Sequence, residues 1–339
     1  MKCAMYYNNR DIRVEEIPVP SIGADELLVQ MHACGICGSD VLEWYRIKKA
    51  PLVLGHEMTG EIVEVGNNVK RYKAGDRVFV SHHVPCNTCH YCLNGHHTVC
   101  DTLRKTNFDP GGFAEFIRVP GINVDRGVFL LPHEISYEEG TFIEPLACVL
   151  RGQKTAHLQP GQTVFIIGGG IAGLLHLKLA RALGASSVVV TDIHEKRLVF
   201  AEQSGAKAAI LANDTIPQQL KEVNNGRLAD MVIVAAGAIE ALHMAWKTVD
   251  RGGTVLIFAP PEPGIDIALP LYDIWHDGIT ITTSYAGSPL DIREAIELIR
   301  SKNIIVKDMI THRFPLAKAG EGFCLVEKAQ DSIKVIIEA

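Results

Sequence analysis

Cys86, Cys89, Cys92 and Cys100 are separated by two, two and seven residues. Four thiolates at such spacing suit a tetrahedral zinc ion, whose Zn–S bonds are about 2.3 Å long. A centre filled by four thiolates leaves no position for water or substrate, so such a metal holds a loop together and does no chemistry. Disulfides, an iron–sulfur cluster and unlinked thiols are the competing readings. The bacterial ferredoxin run places its fourth cysteine after three residues, with proline following. Here seven intervene and Asp101 follows. Structural zinc fits best.

A second group of metal-ligating types lies upstream, in Cys34-Gly35-Ile36-Cys37-Gly38-Ser39-Asp40 and Leu54-Gly55-His56-Glu57-Met58-Thr59-Gly60. A catalytic zinc keeps about three protein ligands and leaves one position open. Cys37, His56 and one carboxylate would make a site of that type. A lone Cys or His in a β-rich segment is more often just packed, and spacing alone does not tie these residues together.

The third group is Gly168-Gly169-Gly170-Ile171-Ala172-Gly173, a Gly-x-Gly-x-x-Gly turn. It follows an apolar run, opens a helical pattern, and is succeeded by the acidic Asp192 at the end of the next apolar run. That context matches a dinucleotide-binding turn. Gly168 serves the tight turn, Gly170 the approach of a pyrophosphate to the backbone at Ile171, and Gly173 the packing of helix on sheet. Asp192 would bond ribose hydroxyls and repel a 2′-phosphate, favouring NAD over NADP, while Lys196 and Arg197 soften that exclusion. A helix–strand turn with no ligand is the bland alternative.

The elements that must position these groups change character near residue 150. Before it, short strands are expected at Glu26–Met31, Gly60–Val65, Arg77–Val80 and Phe113–Val119, punctuated by Gly, Pro and Asp, as in an antiparallel β-rich half. After Gln159-Pro160-Gly161 the rhythm is βαβ. Strands are expected at Thr163–Ile167, Ser187–Thr191, Ala208–Leu211, Met231–Ala235, Thr254–Phe258 and Ile279–Thr283, with helices Ile171–Leu183 and Glu195–Ser204. That alternation implies an α/β, doubly wound parallel sheet. Ser288 reads as an N-cap, with Pro289 at the first helical position and Asp291 near the positive helix end.

A chain of 339 residues, 47% hydrophobic, can bury a large core and is long enough for two domains. Its formal charge of −6 and pI of about 6.2 offer no electrostatic footprint for nucleic acid or an anionic membrane. The apolar runs are strand-sized, far short of a membrane span. The start, Met1-Lys2-Cys3-Ala4-Met5-Tyr6-Tyr7, has no signal-peptide apolar stretch. With four of nine cysteines in a metal pattern, a reducing cytoplasm is the expected compartment.

Together with Gly111-Gly112-Phe113-Ala114-Glu115 and Glu144-Pro145-Leu146-Ala147-Cys148, these motifs in this order resemble the zinc-dependent medium-chain alcohol dehydrogenases. Within them the resemblance is to the polyol (sorbitol-like) and threonine dehydrogenase branches, and it runs along the whole chain. It implies a GroES-like β-rich catalytic domain of residues 1–150, to which 288–339 return, with a Rossmann NAD-binding domain of 151–287 inserted and a cleft between them. It implies that Cys37, His56 and Glu57 ligate a catalytic zinc, that Glu144 ligates it or holds its water, and that Asp40 orients His56. It implies that Ser39 takes the proton of a secondary, polyol-like alcohol and passes it to the nicotinamide ribose while NAD accepts the hydride, leaving a ketone. The expected partner is a small-molecule alcohol, and the expected assembly a homodimer or homotetramer. Threonine-type amino-alcohol oxidation and simple secondary-alcohol oxidation are the alternatives. A different class, the zinc-free quinone-reductase-like or non-catalytic cofactor binders, is opposed by Cys37, His56 and the four-cysteine loop.

The chain departs from its relatives in three places. Leu42 stands where many carry a proton-relay histidine. Ser284-Tyr285 replaces an Arg-Tyr pair that grips polyol hydroxyls, leaving Tyr285 as a pocket hydroxyl. The segment from Val41 to Pro51 is short, with Trp44 and Tyr45 as pocket candidates. A turn hydroxyl bonding its own backbone is the bland reading of Ser39. His82, His83, His90, His96 and His97 are expected as solvated loop residues, and Cys148 and Cys324 as packed small hydrophobes.

Overall fold

The strand Leu27–Gly35 is apolar on both faces and buried along most of its length, as a central strand must be. One flank pairs antiparallel with Glu57–Val65, setting Gly35 opposite Glu57, Cys34 opposite Met58 and Ala33 opposite Thr59. The other flank pairs antiparallel with the C-terminal strand Lys334–Glu338, setting Ile336 opposite Gly35. Three segments far apart in sequence therefore meet at one corner of the sheet. The full order is Ile310–Pro315, Lys334–Glu338, Leu27–Gly35, Glu57–Val65, Arg77–Val80 and Val128–Leu130, with Phe116–Val119 pairing on Leu27–Gly35. A smaller sheet joins Asp11–Glu16, Lys2–Asn8 and Leu52–Val53. Val29, Met31, Ile62, Val78, Phe113, Ile117 and Val335 pack the shared core.

These elements come from a computed structural model that describes residues 1–329 and 331–339. They belong to a compact unit made of Met1–Ala147 and Gly287–Ala339. The helix Pro289–Arg300 in its C-terminal part begins as its sequence predicts. Ser288 Oγ accepts from the Asp291 N–H at 3.4 Å, and the Asp291 carboxylate accepts from the Ser288 N–H at 2.9 Å. Ile292, Ala295, Ile296 and Ile299 form its buried face.

The second compact unit, Cys148–Ala286, is a six-stranded parallel sheet. Its order is Ala208–Leu211, Ser187–Asp192, Thr163–Ile167, Ala229–Val234, Val249–Ile257, Thr280–Thr283. Thr163–Ile167, near the middle, is wholly buried, as expected of a strand covered on both faces. The helices Ile171–Ala182 and Glu195–Gln203 lie close to the expected bounds. Ile216–Val223, Ile239–Thr248 and Leu271–His276 are helices that the strand-centred reading left unassigned.

The β-rich half differs from expectation in two instructive places. The strand read as starting at Gly60 starts at Glu57, because a buried partner 277 residues away lets a carboxylate enter the sheet. The strand read from Phe113 starts at Phe116, because Phe113 N–H is spent on the Leu54 carbonyl at 3.0 Å.

Candidate active site

Beyond Gly35 the chain leaves the sheet and Cys37 caps a 3₁₀ turn, Gly38–Val41. Cys37 Sγ accepts from the Ser39 N–H at 3.4 Å, and Asp40 Oδ2 accepts from the Cys37 N–H at 3.1 Å. The opposite strand begins just after His56, so strand pairing alone brings His56 to Cys37. Ligand atoms of Cys37, His56 and Glu57 all lie within 4.8 Å of one another.

Asp40, fully buried, governs the orientation of His56. Its Oδ1 lies 3.3 Å from His56 Nδ1 and 3.1 Å from Arg46 Nη2. Burial works against the charged form of both partners, but the attraction wins: Asp40 is held below the usual carboxylate range and His56 well above the usual imidazole range. A carboxylate on one ring nitrogen leaves the other free to face a metal, which is how ligating histidines are usually held. The geometry and donor set of Cys37 and His56 fit a zinc ion.

Glu57 has a second claim on it. Its Oε2 bonds Lys334 Nζ, and both side chains are essentially removed from water. Lys334 Nζ also lies 5.2 Å from the centre of the Phe142 ring. A Cβ at Gly35 would overlap both partners, so only glycine leaves room for the pair. Glu144, in the first turn of the helix Ile143–Thr155, is half-buried and lies outside the cluster of Cys37, His56 and Glu57.

Ser39 Oγ is held between Cys37 Sγ at 3.4 Å and Arg46 Nη2 at 3.1 Å. Sequence reading treated Arg46 only as part of a pocket loop; nothing in the spacing of residues 39 and 46 announces the contact. The segment is a short helix, Glu43–Arg46, in which Trp44 is half-buried and Tyr45 is exposed. Arg46 stacks over the Tyr45 ring at 4.6 Å.

His82 and His83 are not solvated loop residues. Both are half-buried; the His82 ring centre lies 4.9 Å from that of His56 and 3.8 Å from that of His83. Burial drives His82 well below the ordinary imidazole value and His83 down to about 4. His82 Nδ1 is buried without a hydrogen-bond partner. His90 and His96 are exposed, as expected. Cys148 and Cys324 are half-buried rather than enclosed.

In the loop of four cysteines, the sulfurs of Cys86, Cys89, Cys92 and Cys100 lie within 4.8 Å of one another and form no disulfide. Backbone N–H groups point at them: Thr88 N lies 3.4 Å and Cys89 N 3.3 Å from Cys86 Sγ, and Cys86 N lies 3.4 Å from Cys100 Sγ. The Thr88 and Cys89 contacts lower the Cys86 thiol to about 5, whereas burial pushes Cys92 up to about 12. Arg126 donates to the carbonyls of Pro85 at 3.0 Å and Cys86 at 2.7 Å, fixing the entry to the loop. N–H groups aimed at clustered sulfurs suit a thiolate-bound metal.

In the parallel-sheet unit, Gly168 adopts φ of +107°, and a Cβ on Gly173 would overlap the Gly168 carbonyl oxygen. Gly170 caps the helix Ile171–Ala182 without a side chain, which leaves N–H groups at its start for an anion. Asp192 spans the turn: Oδ2 accepts from Gly169 N–H at 2.7 Å and Oδ1 from His194 N–H at 2.9 Å. Arg197 Nη1 lies 3.4 Å from Asp192, and Arg197 Nε is buried without a partner. The arrangement fits a dinucleotide. Tyr285, in the same unit, is 49% exposed.

Comparison with known proteins converges on one family. The alcohol dehydrogenase GroES-like domain matches residues 23–126, and the zinc-binding dehydrogenase domain matches residues 172–301. Sorbitol dehydrogenase of Bacillus subtilis strain 168 is 34% identical over 93% of this chain and 90% of its own. L-threonine 3-dehydrogenase of Bacillus licheniformis is 32% identical over 95% of this chain and 94% of its own. The crystal structure of a zinc-binding dehydrogenase from Sinorhizobium meliloti 1021 bound to NADP superposes with a TM-score of 0.89 at 30% identity, covering 100% of this chain and 99% of that one.

The buried Glu57–Lys334 pair yields a stability prediction. Lys334→Met leaves a carboxylate without its counter-charge in the sheet and should cost about 3–5 kcal/mol. Adding Glu57→Gln should recover much of that loss. Urea unfolding of the single and double variants measures both; equal stability of Lys334→Met and the parent would show that the pair contributes nothing.

Proposed function

The chain belongs to the zinc-dependent medium-chain alcohol dehydrogenase family, and from that premise we propose that it oxidises a secondary, polyol-like alcohol to a ketone with NAD. The observation that carries this reading is the convergence of Cys37 and His56, with Asp40 behind the histidine. Cys37 and His56 would hold the catalytic zinc, with Glu57 or Glu144 completing the set. Bound zinc supplies a Lewis acid that lowers the pKa of an alcohol and stabilises negative charge on its oxygen. Ser39 Oγ accepts the proton of the substrate hydroxyl and gives up its own, which would pass to the nicotinamide ribose of the bound cofactor. Asp40 keeps the His56 ring fixed as charge builds on the substrate oxygen. Lys334 tempers the charge of Glu57, which leaves Glu144 as the carboxylate whose role changes during turnover. Cys86, Cys89, Cys92 and Cys100 would hold a structural zinc that takes no part in the reaction.

For the cofactor, we read residues 151–287 as the nucleotide-binding domain, inserted in a catalytic domain of 1–150 and 288–339. Gly168 makes the tight turn and Gly173 lets the helix pack on the sheet, so that Gly170 and the backbone at Ile171 would receive the pyrophosphate, and Asp192 would bond the adenosine ribose. Arg197, beside Asp192, softens the discrimination against a 2′-phosphate.

The substrate carries a polar group beside the reacting carbinol. Sorbitol and L-threonine, named in two similar proteins, share that feature. The buried, partnerless Nδ1 of His82 is a further acceptor or donor for it, alongside Glu144, with Trp44 and Tyr45 as apolar walls. Threonine-type oxidation is the second reading, favoured by the nearly equal likeness to the threonine enzyme.

The assembly is a homodimer or a homotetramer. Leu271, Tyr272 and Trp275 are 69%, 70% and 72% exposed, beside the edge strand Thr280–Thr283, and such a surface suits pairing with a second copy. The compartment is cytoplasmic, which agrees with nine cysteines that form no disulfide.

Three experiments test this reading. The first uses NAD reduction at 340 nm (a standard wavelength, about that of the reduced nicotinamide band) to compare a vicinal diol with its mono-alcohol. A site that bonds the second hydroxyl should favour the diol in kcat/KM by orders of magnitude, and equal values would make the pocket apolar. The second divides the metals. Cys37→Ser should abolish turnover and spare the fold, whereas Cys92→Ser should lower the melting temperature; parallel loss in both would contradict the division. The third concerns Asp192→Ser, which removes a charged hydrogen-bonding group worth about 1.5–3 kcal/mol. The NAD/NADP ratio of kcat/KM should fall by roughly tenfold or more, and an unchanged ratio would mean that Asp192 does not read the ribose.

A further inference from the structure

Arg46 makes three hydrogen bonds to two consecutive residues beside the candidate metal ligands. Its Nε donates to the Ser39 carbonyl at 3.0 Å, and its Nη2 donates to Ser39 Oγ and to Asp40 Oδ1, each at 3.1 Å. The side chain is 15% exposed although it springs from a short surface helix. Asp40 in turn receives the Cys37 N–H on one oxygen and faces His56 Nδ1 with the other. One guanidinium thus reaches Cys37 and His56 through a single shared carboxylate, and Ser39 directly.

We infer that Arg46 is the positioning residue of the reaction centre, fixing the Ser39 hydroxyl and the Asp40 carboxylate in the orientation that Cys37, His56 and the substrate require. This rests on the reaction centre proposed above. A guanidinium has five donors, no acceptor, and stays protonated in proteins. Arg46 therefore cannot receive the proton that Ser39 takes up. It occupies one lone pair of Ser39 Oγ and leaves the other to accept from a substrate hydroxyl; the Ser39 hydrogen, which rests toward Cys37 Sγ, is the one that leaves Oγ for the nicotinamide ribose as the substrate proton arrives. A fixed fork also does what a point charge cannot. A lysine ammonium on a flexible stem matches one of these acceptors at a time rather than three at the fork's spacing.

The fork also explains how a fully buried carboxylate serves two ligand-bearing segments. Asp40 without Arg46 keeps only His56 as a cationic partner, and the ring then loses the rigid support that sets its angle. Support of this kind, one step removed from a metal, typically changes affinity or activity by about 10–100-fold when it is removed.

The test uses the holoenzyme and its cobalt-substituted form, with Arg46→Lys, Arg46→Gln and a control, Lys49→Gln. Lys49 belongs to the same segment and stands 5.8 Å from the Tyr45 ring, yet bonds neither Ser39 nor Asp40. Both Arg46 variants should lose kcat and cobalt retention against a chelator by about 10–100-fold, with a shifted cobalt–thiolate absorption band, unchanged KM for NAD and an unchanged melting temperature. Lys49→Gln should match the parent. Full activity and an unshifted band in Arg46→Lys would overturn the inference, because charge alone would then suffice. So would loss of activity in Arg46→Gln that merely tracks the folded fraction. A parent protein that takes up no metal at Cys37 would instead defeat the reaction centre itself.

Discussion

The register between Leu27–Gly35 and Glu57–Val65 is the constraint on which the candidate site depends. With Gly35 opposite Glu57, the residues just beyond one strand and just before the other leave the sheet at the same corner. Cys37 and His56 meet for that reason and not through any local motif. A slip by one residue would turn each side chain of the strand to the opposite face. Glu57 would leave Lys334, and the apolar residues beside it would trade core for surface. The register is held from both flanks, since Lys334–Glu338 closes on the same central strand.

Charge is then buried deliberately around that corner. Asp40, Glu57 and Lys334 are all almost wholly removed from water, an arrangement that costs several kcal/mol per ion unless each finds a partner. Asp40 has His56, Arg46 and a backbone N–H; Glu57 has Lys334. Replacing such groups with apolar ones often leaves stability unchanged or improves it. Their value lies in direction: fixed carboxylates keep a histidine ring and a thiol-bearing turn aimed at one point. The same logic governs Asp192, whose two oxygens tie the glycine turn to His194, two residues past the end of the next strand.

What could be read from the sequence was what is local. The four cysteines occupy one loop, and the glycine turn with its strand and helix occupies one βαβ unit, so spacing alone describes them. The Ser288 cap is legible for the same reason. Lys334 was not legible, because its relation to Glu57 spans 277 residues and no periodicity encodes a partner at that range. Arg46 is only seven residues from Ser39, but the contact depends on how a 3₁₀ turn and a short helix pack, and their sequences carry no strong period. His82 and His83 sat beside a cysteine-rich loop and looked solvated; the fold instead turns His82 toward His56 and packs His83 against His82.

The position of Lys334 also has a consequence in time. A ribosome extends a chain at about 5–20 residues per second, and early segments begin to fold as they emerge. Glu57 is therefore made on the order of tens of seconds before the ammonium that neutralises it, since 277 residues separate them. Throughout that interval the strand bearing His56 and Glu57 has an unmatched carboxylate where the finished sheet is dry. A nascent chain is thus discouraged from closing this corner early, while the intervening nucleotide-binding segment, whose sheet pairs only within itself, can fold as it is made. Order of synthesis thus keeps the Glu57–Lys334 corner open until Lys334 has been made.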